Sequence, residues 1–296
     1  MAQIAVASDK RELPVSQETG SESESRVIRI RPSHGWVSVN LGDLWEYREL
    51  LYFLVWRDVK VRYKQTVLGA GWAILQPLLT MIVFSAVFGS FAKVPSDGVP
   101  YPIFSYVALL PWSYFSGAFS RVGTSLVGSS NLISKVYFPR LVIPIAATFA
   151  GLVDFAIAFV ILLGMMVYYG IRPTLMVWTL PLFLLLAFAS ALGVGLWLAA
   201  LNVRYRDVGY LIPFLVQIWM YASPVAYPSS IVPERLRLFY GLNPMAGVIE
   251  GFRAALLGTG VLDGGLVAAS SAIVVLLVLS GALYFRRTEK TFADVI

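Results

Sequence analysis

No charged residue occurs between Val67 and Ala92, a run of 26 residues. As an α-helix this run is about 39 Å long, more than the ~30 Å hydrocarbon core of a bilayer. In that solvent, backbone polar groups must be satisfied within the segment itself, so a helix is the form the run takes. Five further stretches are nearly as free of charge: Ile103–Ser120, Leu141–Tyr169, Thr174–Leu201, Val208–Ala222 and Leu266–Phe285. With 58% hydrophobic and 14% charged residues over 296 positions, one or two soluble domains are excluded. The fold class expected is an all-α integral membrane protein with six transmembrane helices.

The segments between the spans carry most of the punctuation. Gln76-Pro77 predicts a kink within the first span. The second is aromatic-rich, with Phe104, Tyr106, Trp112, Tyr114, Phe115 and Phe119, and continues less apolar toward Val127. Pro224, Pro228 and Pro233 open an insertion over 224–262. Its two apolar pieces, Leu236–Tyr240 and Met245–Leu257, are too short to cross and read as re-entrant or interfacial helices before the last span. Within it, Glu250 and Arg253 are spaced for an i,i+3 pair, and Gly247 and Gly251 form a small-residue patch suited to close helix contact.

Ahead of the first span, residues 41–66 form an amphipathic run. Leu44, Tyr47, Leu50, Leu51, Leu54 and Val55 recur at helical spacing, while Glu46, Glu49, Arg57 and Lys60 fall largely elsewhere. Such a helix lies in the interface plane. It is either a plain anchor or a docking surface for a partner. Residues 1–40 are polar, lack a signal-peptide h-region and are expected to be a disordered tail. The expected domains are that tail, the interface helix, a six-helix unit over 67–290 with an external insertion, and a tail over 291–296.

Basic residues assign the sides. With the N-terminus inside, ten Lys and Arg in residues 1–64 join Arg121, Lys135, Arg140, Arg204, Arg206, Arg286, Arg287 and Lys290. The outside set is Lys93, Arg172, Arg235, Arg237 and Arg253. This bias puts both termini in the cytoplasm and accounts for the net charge of +6 without nucleic acid.

Much chemistry is excluded. The chain has no cysteine, and its one histidine, His34, sits in the polar tail, so no metal site of Cys or His ligands is expected. No Gly-Lys pair exists, hence no P-loop; an ATP-driven process would need a separate nucleotide-binding subunit. No paired carboxylates suggest an enzyme. Asp154 lies mid-span in GLVDFAIAF, and with no further ionisable groups expected in other spans it reads as helix-packing glue rather than a proton relay. The aromatics are the more suggestive group. Trp72, Phe84, Phe88, Trp112, Tyr114, Phe115, Trp219 and Tyr221 are candidate channel-lining residues, since broad ring faces stack on the C–H faces of sugars. Interfacial belts and core burial are the simpler alternative.

Taken in order, RDVKVRYKQTVLGAGWAILQPL (Arg57–Leu78), NLISKVYFPR (Asn131–Arg140), LNVRYRDV (Leu201–Val208) and NPMAGVIEGFRAALLG (Asn243–Gly258) resemble the permease subunit of ABC-2 exporters. More narrowly the chain is similar to the branch for O-antigen, capsular polysaccharide and teichoic acid, from about residue 41 onward. The resemblance implies a homodimer in a bacterial inner membrane, bound to two copies of an ABC ATPase that carries the ATP and magnesium. No cofactor is expected on this chain. Spans 1 and 5 would line a channel, and the insertion would form an external gate. The cargo implied is a polysaccharide on undecaprenyl diphosphate, with Arg57, Lys60, Arg62 and Lys64 near the diphosphate. ATPase coupling would fall on Glu46, Glu49, Asn131, Ser134, Lys135, Tyr137 and Arg140. The rivals are an ABC-2 permease for a drug or lipid, and a membrane enzyme acting on a lipid-linked sugar.

Overall fold

A computed structural model describes residues 41–64, 69–259 and 263–292. The polar N-terminal segment with His34 and the junction at 65–68 lie outside the described residues. Every regular element among the described residues is helical. The interface run is two helices, α1 (Leu41–Glu46) and α2 (Arg48–Lys64), and the first span is α3 (Gly69–Phe84). Helix α3 runs through Pro77 without ending; its hydrogen-bond register changes later, at a π-helical stretch over Ser85–Phe91. There the Ser85 hydroxyl donates to the Met81 carbonyl at 2.7 Å.

The long helix α4 (Tyr101–Gly128) is the centre of the fold. It packs against α3, α6 (Val142–Tyr168), α7 (Leu180–Arg204), α8 (Val208–Ala222) and α10 (Pro244–Leu257). Nearly every residue from Ile103 to Trp112 is buried. The short α5 (Ser130–Lys135) follows α4, α9 (Glu234–Tyr240) precedes α10, and α11 (Gly264–Glu289) closes the bundle. Among the described residues, four segments have both the length and the apolarity to cross a membrane: Gly71–Phe91, Val142–Tyr168, Leu175–Arg204 and Gly264–Glu289. Helix α4 is long enough but more polar, as a helix shielded by neighbours can be. Helix α8 is apolar but has only 15 residues.

Helices α7 and α11 cross with their backbones in near contact. A Cβ on Gly193 would stand 2.8 Å from the Val278 nitrogen and 2.9 Å from the Leu277 carbonyl carbon. Beside this crossing, the Trp197 and Tyr284 rings stack at 4.2 Å between centroids. The expected small-residue contact on α10 is present: Gly247 lies against Ser270 of α11 and Gly251 against the Phe183 ring of α7.

The insertion is more integrated than its semi-polar sequence indicated, because α10 is buried from Pro244 to Leu256. Glu250 and Arg253 form the expected pair at 3.0 Å, fully inside the protein. Arg253 also donates to the Tyr227 and Val225 carbonyls, both at 3.1 Å, and lies 3.8 Å from the Phe104 ring centroid. It thereby ties the 225–229 loop to the Tyr101 end of α4. At the Gly128 end of α4 a second cluster gathers Leu54 of α2, Ile133, Phe138, Leu141, Phe285 and Phe292. Phe292, placed by the sequence in the tail, is therefore a buried anchor.

Candidate functional site

The interface run sorts its apolar residues by face. Leu54 is buried, and Tyr47, Leu50, Leu51 and Val55 pack toward the bundle. Trp45, Tyr52, Phe53 and Trp56 face outward. The helix is thus sewn to the bundle by one stripe and presents an aromatic face on the other, as an interfacial helix does. Its last turns bring Arg62 and Tyr63 to α6.

There a groove of about 660 Å³ opens between α3, α4, α6 and α8. Helix α3 contributes Trp72, Gln76 and Thr80; α4 contributes Trp112, Tyr114 and Ser116; α8 contributes Pro213, Gln217 and Met220. Tyr114 is oriented by its hydroxyl, which donates to the Thr148 carbonyl at 3.3 Å, and by an edge contact with Phe155. The size falls within the range of small-molecule sites.

The floor is ionic. Asp154 Oδ2 accepts from Arg62 Nη1, and Oδ1 accepts from the Tyr63 hydroxyl. Arg121 Nη1 lies 3.9 Å from the same Oδ2, while its Nε donates to the Ala147 carbonyl at 3.2 Å. Burial, with the hydrogen bond and charge of Asp154, pushes the Tyr63 phenol up to about 12, so it remains a donor at neutral pH. The sequence reading that no other span supplies an ionisable partner for Asp154 is overturned. Helix α4 runs past Ser120, carrying Arg121 into the bundle, and α2 ends beside α6, carrying Arg62. A signal existed: Arg121 directly follows a charge-free run that contains six aromatics.

The eight aromatics proposed for a channel separate. Trp72, Trp112 and Tyr114 line the groove. Phe84 is buried against Phe88. Phe115 is fully buried, touching Phe119 and Trp219, and does not line the groove. Trp219 donates from Nε1 to Asn243 Oδ1 at 2.9 Å, and Asn243 in turn caps α10 by accepting from the Met245 nitrogen. Tyr221 is exposed. The chemistry of a ring was legible, but not the face of its helix.

The four basic residues of α2 do not converge. Arg57 is hydrogen-bonded to its neighbour Asp58 at 2.8 Å, Lys60 sits 4.1 Å over the Trp56 ring, and Lys64 is exposed. Of the four, Arg62 alone reaches the groove. The proposed coupling residues are better grouped. Asn131, Ser134, Lys135 and Tyr137 are exposed on one short segment, held from beneath by buried Ile133 and Phe138. Arg140 is turned inward instead, its backbone N–H donating to Glu289 Oε1 at 3.0 Å and its guanidinium to the Glu289 carbonyl. Glu46 and Glu49 are exposed on α1 and α2.

Comparison with known proteins places this architecture. Residues 49–257 match the family model described as ABC-2 type transporter. The O-antigen export system permease protein RfbA of Myxococcus xanthus is 32% identical, covering 86% of this chain and 98% of that protein. A Klebsiella pneumoniae protein of the same name is 26% identical over 87% of this chain and 97% of its own length. The polysialic acid transport protein KpsM of Escherichia coli is 25% identical over 68% of this chain and 78% of its own length. The match spans the interface helix, the groove and the buried α10, and the chain belongs to the ABC-2 type transporter family.

Proposed function

We propose that this chain is the permease subunit of an ABC exporter that carries a polysaccharide, of the O-antigen or capsule kind, across a bacterial inner membrane. The observation that carries the reading is the groove: aromatic walls on α3 and α4, amide and apolar groups on α8, and a charged floor next to the interface helix. Aromatic walls suit a sliding sugar chain because ring–sugar contact is broad and weakly directional. The relatives named for O-antigen export and polysialic acid transport support the same cargo class.

In this reading α3 with its π-helical end, α4, α6, α7, α8 and α11 are six spans, both termini face the cytoplasm, and α9 and α10 form an external re-entrant cap. Two copies meet along α3 and α8, whose outward residues Leu79, Ile82, Phe214 and Ile218 are exposed in the single chain. The cargo is linked to undecaprenyl diphosphate. Two copies of a separate ATPase, holding ATP and magnesium, dock on α2 and on the exposed 131–137 segment. Nucleotide-driven closure of those subunits shifts the preference between groove states, and the permease makes and breaks no covalent bond. Deleting the gene tests this: lipid-linked polymer accumulates on the cytoplasmic side, whereas normal surface polymer refutes it.

A further inference from the structure

Helix α8 is one wall of the groove, yet its two ends are held by different kinds of contact. At the Ala222 end the contacts are polar and converge from several elements. Trp219 Nε1 donates to Asn243 Oδ1, and Asn243 Nδ2 donates to the Ala222 carbonyl at 3.1 Å. In the loop that follows, three successive carbonyls each accept from a buried side chain: Val225 and Tyr227 from Arg253, and Ala226 from the Tyr101 hydroxyl. These carbonyls lie outside any helix, and such donors meet a need that backbone in an apolar setting cannot leave open.

The Val208 end is held otherwise. Among the described residues, no side-chain hydrogen bond links the 208–218 part of α8 to another helix, and Ile212 is the one side chain of α8 that is buried. It fills a notch in α4 that exists because residue 123 is glycine: a Cβ there would stand 2.6 Å from Ile212 Cδ1. Asn202 of α7 braces the notch, its Nδ2 donating to the Gly123 carbonyl at 3.0 Å. Pro213, beside the knob, has no N–H to return to the Gly209 carbonyl, so the turn that carries Ile212 lacks a helical hydrogen bond.

We propose that α8 is a hinged wall: it turns about the polar clasp at its Ala222 end, and Ile212 is the catch that holds the Val208 end against α4. A single apolar knob leaves its notch without stranding a polar group. Opening the clasp would instead strand the Arg253 guanidinium and three carbonyls. The two ends therefore differ in the cost of opening, and the cheaper one moves. Gly123 lies just past Arg121 at the groove floor, so release widens the groove there first, drawing Pro213 and Val216 away from α4. That this movement separates the groove states of a transport cycle rests on the proposed transport role; the hinge itself does not.

The test is a size swap in the full chain in lipid nanodiscs, read by hydrogen exchange. Gly123→Ala places a methyl where Ile212 Cδ1 now sits, and Ile212→Val removes that Cδ1. Each single variant should speed exchange of the amides over 208–212 by about threefold or more. Amides over 219–222 and in the middle of α4 should keep their protection. The double variant, whose new methyl occupies the vacated space, should return to within about twofold of the parent. Recovery in the double variant guards against a folding artefact, since two independent lesions do not cancel. Unchanged exchange over 208–212 in both single variants, loosening of α8 along its whole length, or no recovery in the double variant overturns the proposal. Normal surface polymer in the deletion strain refutes the transport role and leaves these exchange rates standing; uniform loosening of α8 refutes the hinge and leaves the transport role standing.

Discussion

Phe292→Ala should release the exposed segment over 131–137. Phe292 lies beyond the last residue of α11 and is 1% exposed. Its ring meets Phe285 edge-on at 5.3 Å between centroids, and the Arg140 guanidinium lies 5.9 Å from it. Truncating an enclosed Phe costs about 3–5 kcal/mol. Of this, the ring pair supplies about 0.5–1.5 kcal/mol, and the guanidinium contact about 0.5–1 kcal/mol. The cluster sits at the rim of the bundle and relaxes more readily than a central cavity, so the lower figure applies. About 3 kcal/mol corresponds to roughly a hundredfold change in the docked-to-undocked ratio. The assay is hydrogen exchange by mass spectrometry on the full chain in nanodiscs. Amides over 131–140 should exchange faster by up to about a hundredfold, while amides in the middle of α4 keep their protection. Phe292→Leu, which keeps apolar volume, should recover most of it. Unchanged exchange over 131–140 with native protection in α4 would refute the reasoning.

Three further outcomes follow from the same geometry. Gly193→Ala should lower the melting temperature, because its Cβ meets the α11 backbone at 2.8 Å and overpacking costs about 1–3 kcal/mol; Gly164→Ala, with open space around it, should be neutral or slightly stabilising. Glu250→Ala leaves Arg253 buried without its carboxylate and should destabilise by about 3–5 kcal/mol, read as a loss of folded protein in a thermal solubility assay. Trp219→Ala should reduce thermal stability through loss of the Asn243 contact, whereas exposed Tyr221→Ala should leave it unchanged; equal effects would argue against a bracing role for Trp219.

Several features were legible because they depend on local composition alone. Charge-free runs locate α3, α6, α7 and α11, since a bilayer selects length and apolarity with little regard to neighbours. The Glu250–Arg253 pair and the Gly247–Gly251 patch were legible for a similar reason: helical spacing alone puts each pair on one face. The register change beyond Pro77 shows the limit of such rules. Proline marks a weak point in a helix, but here the register changes at Ser85, where side-chain hydroxyls accompany the wider turn.

Local composition and spacing thus specify a helical membrane protein with an interface helix, an internal acidic residue and a family signature. Which faces matter follows from the packing of the helices against one another. In a soluble helix apolar residues point inward, but in a membrane helix they point both toward lipid and toward neighbours, so hydropathy cannot separate Phe115 in the core from Trp72 on the groove. Charges carry the same ambiguity. Arg62 and Arg121 looked like inner-side basic residues, and Asp154 like a solitary carboxylate. Their meeting depends on where α2 ends and how α4 crosses α6, which is set by helix contacts distant in the chain rather than by any local pattern.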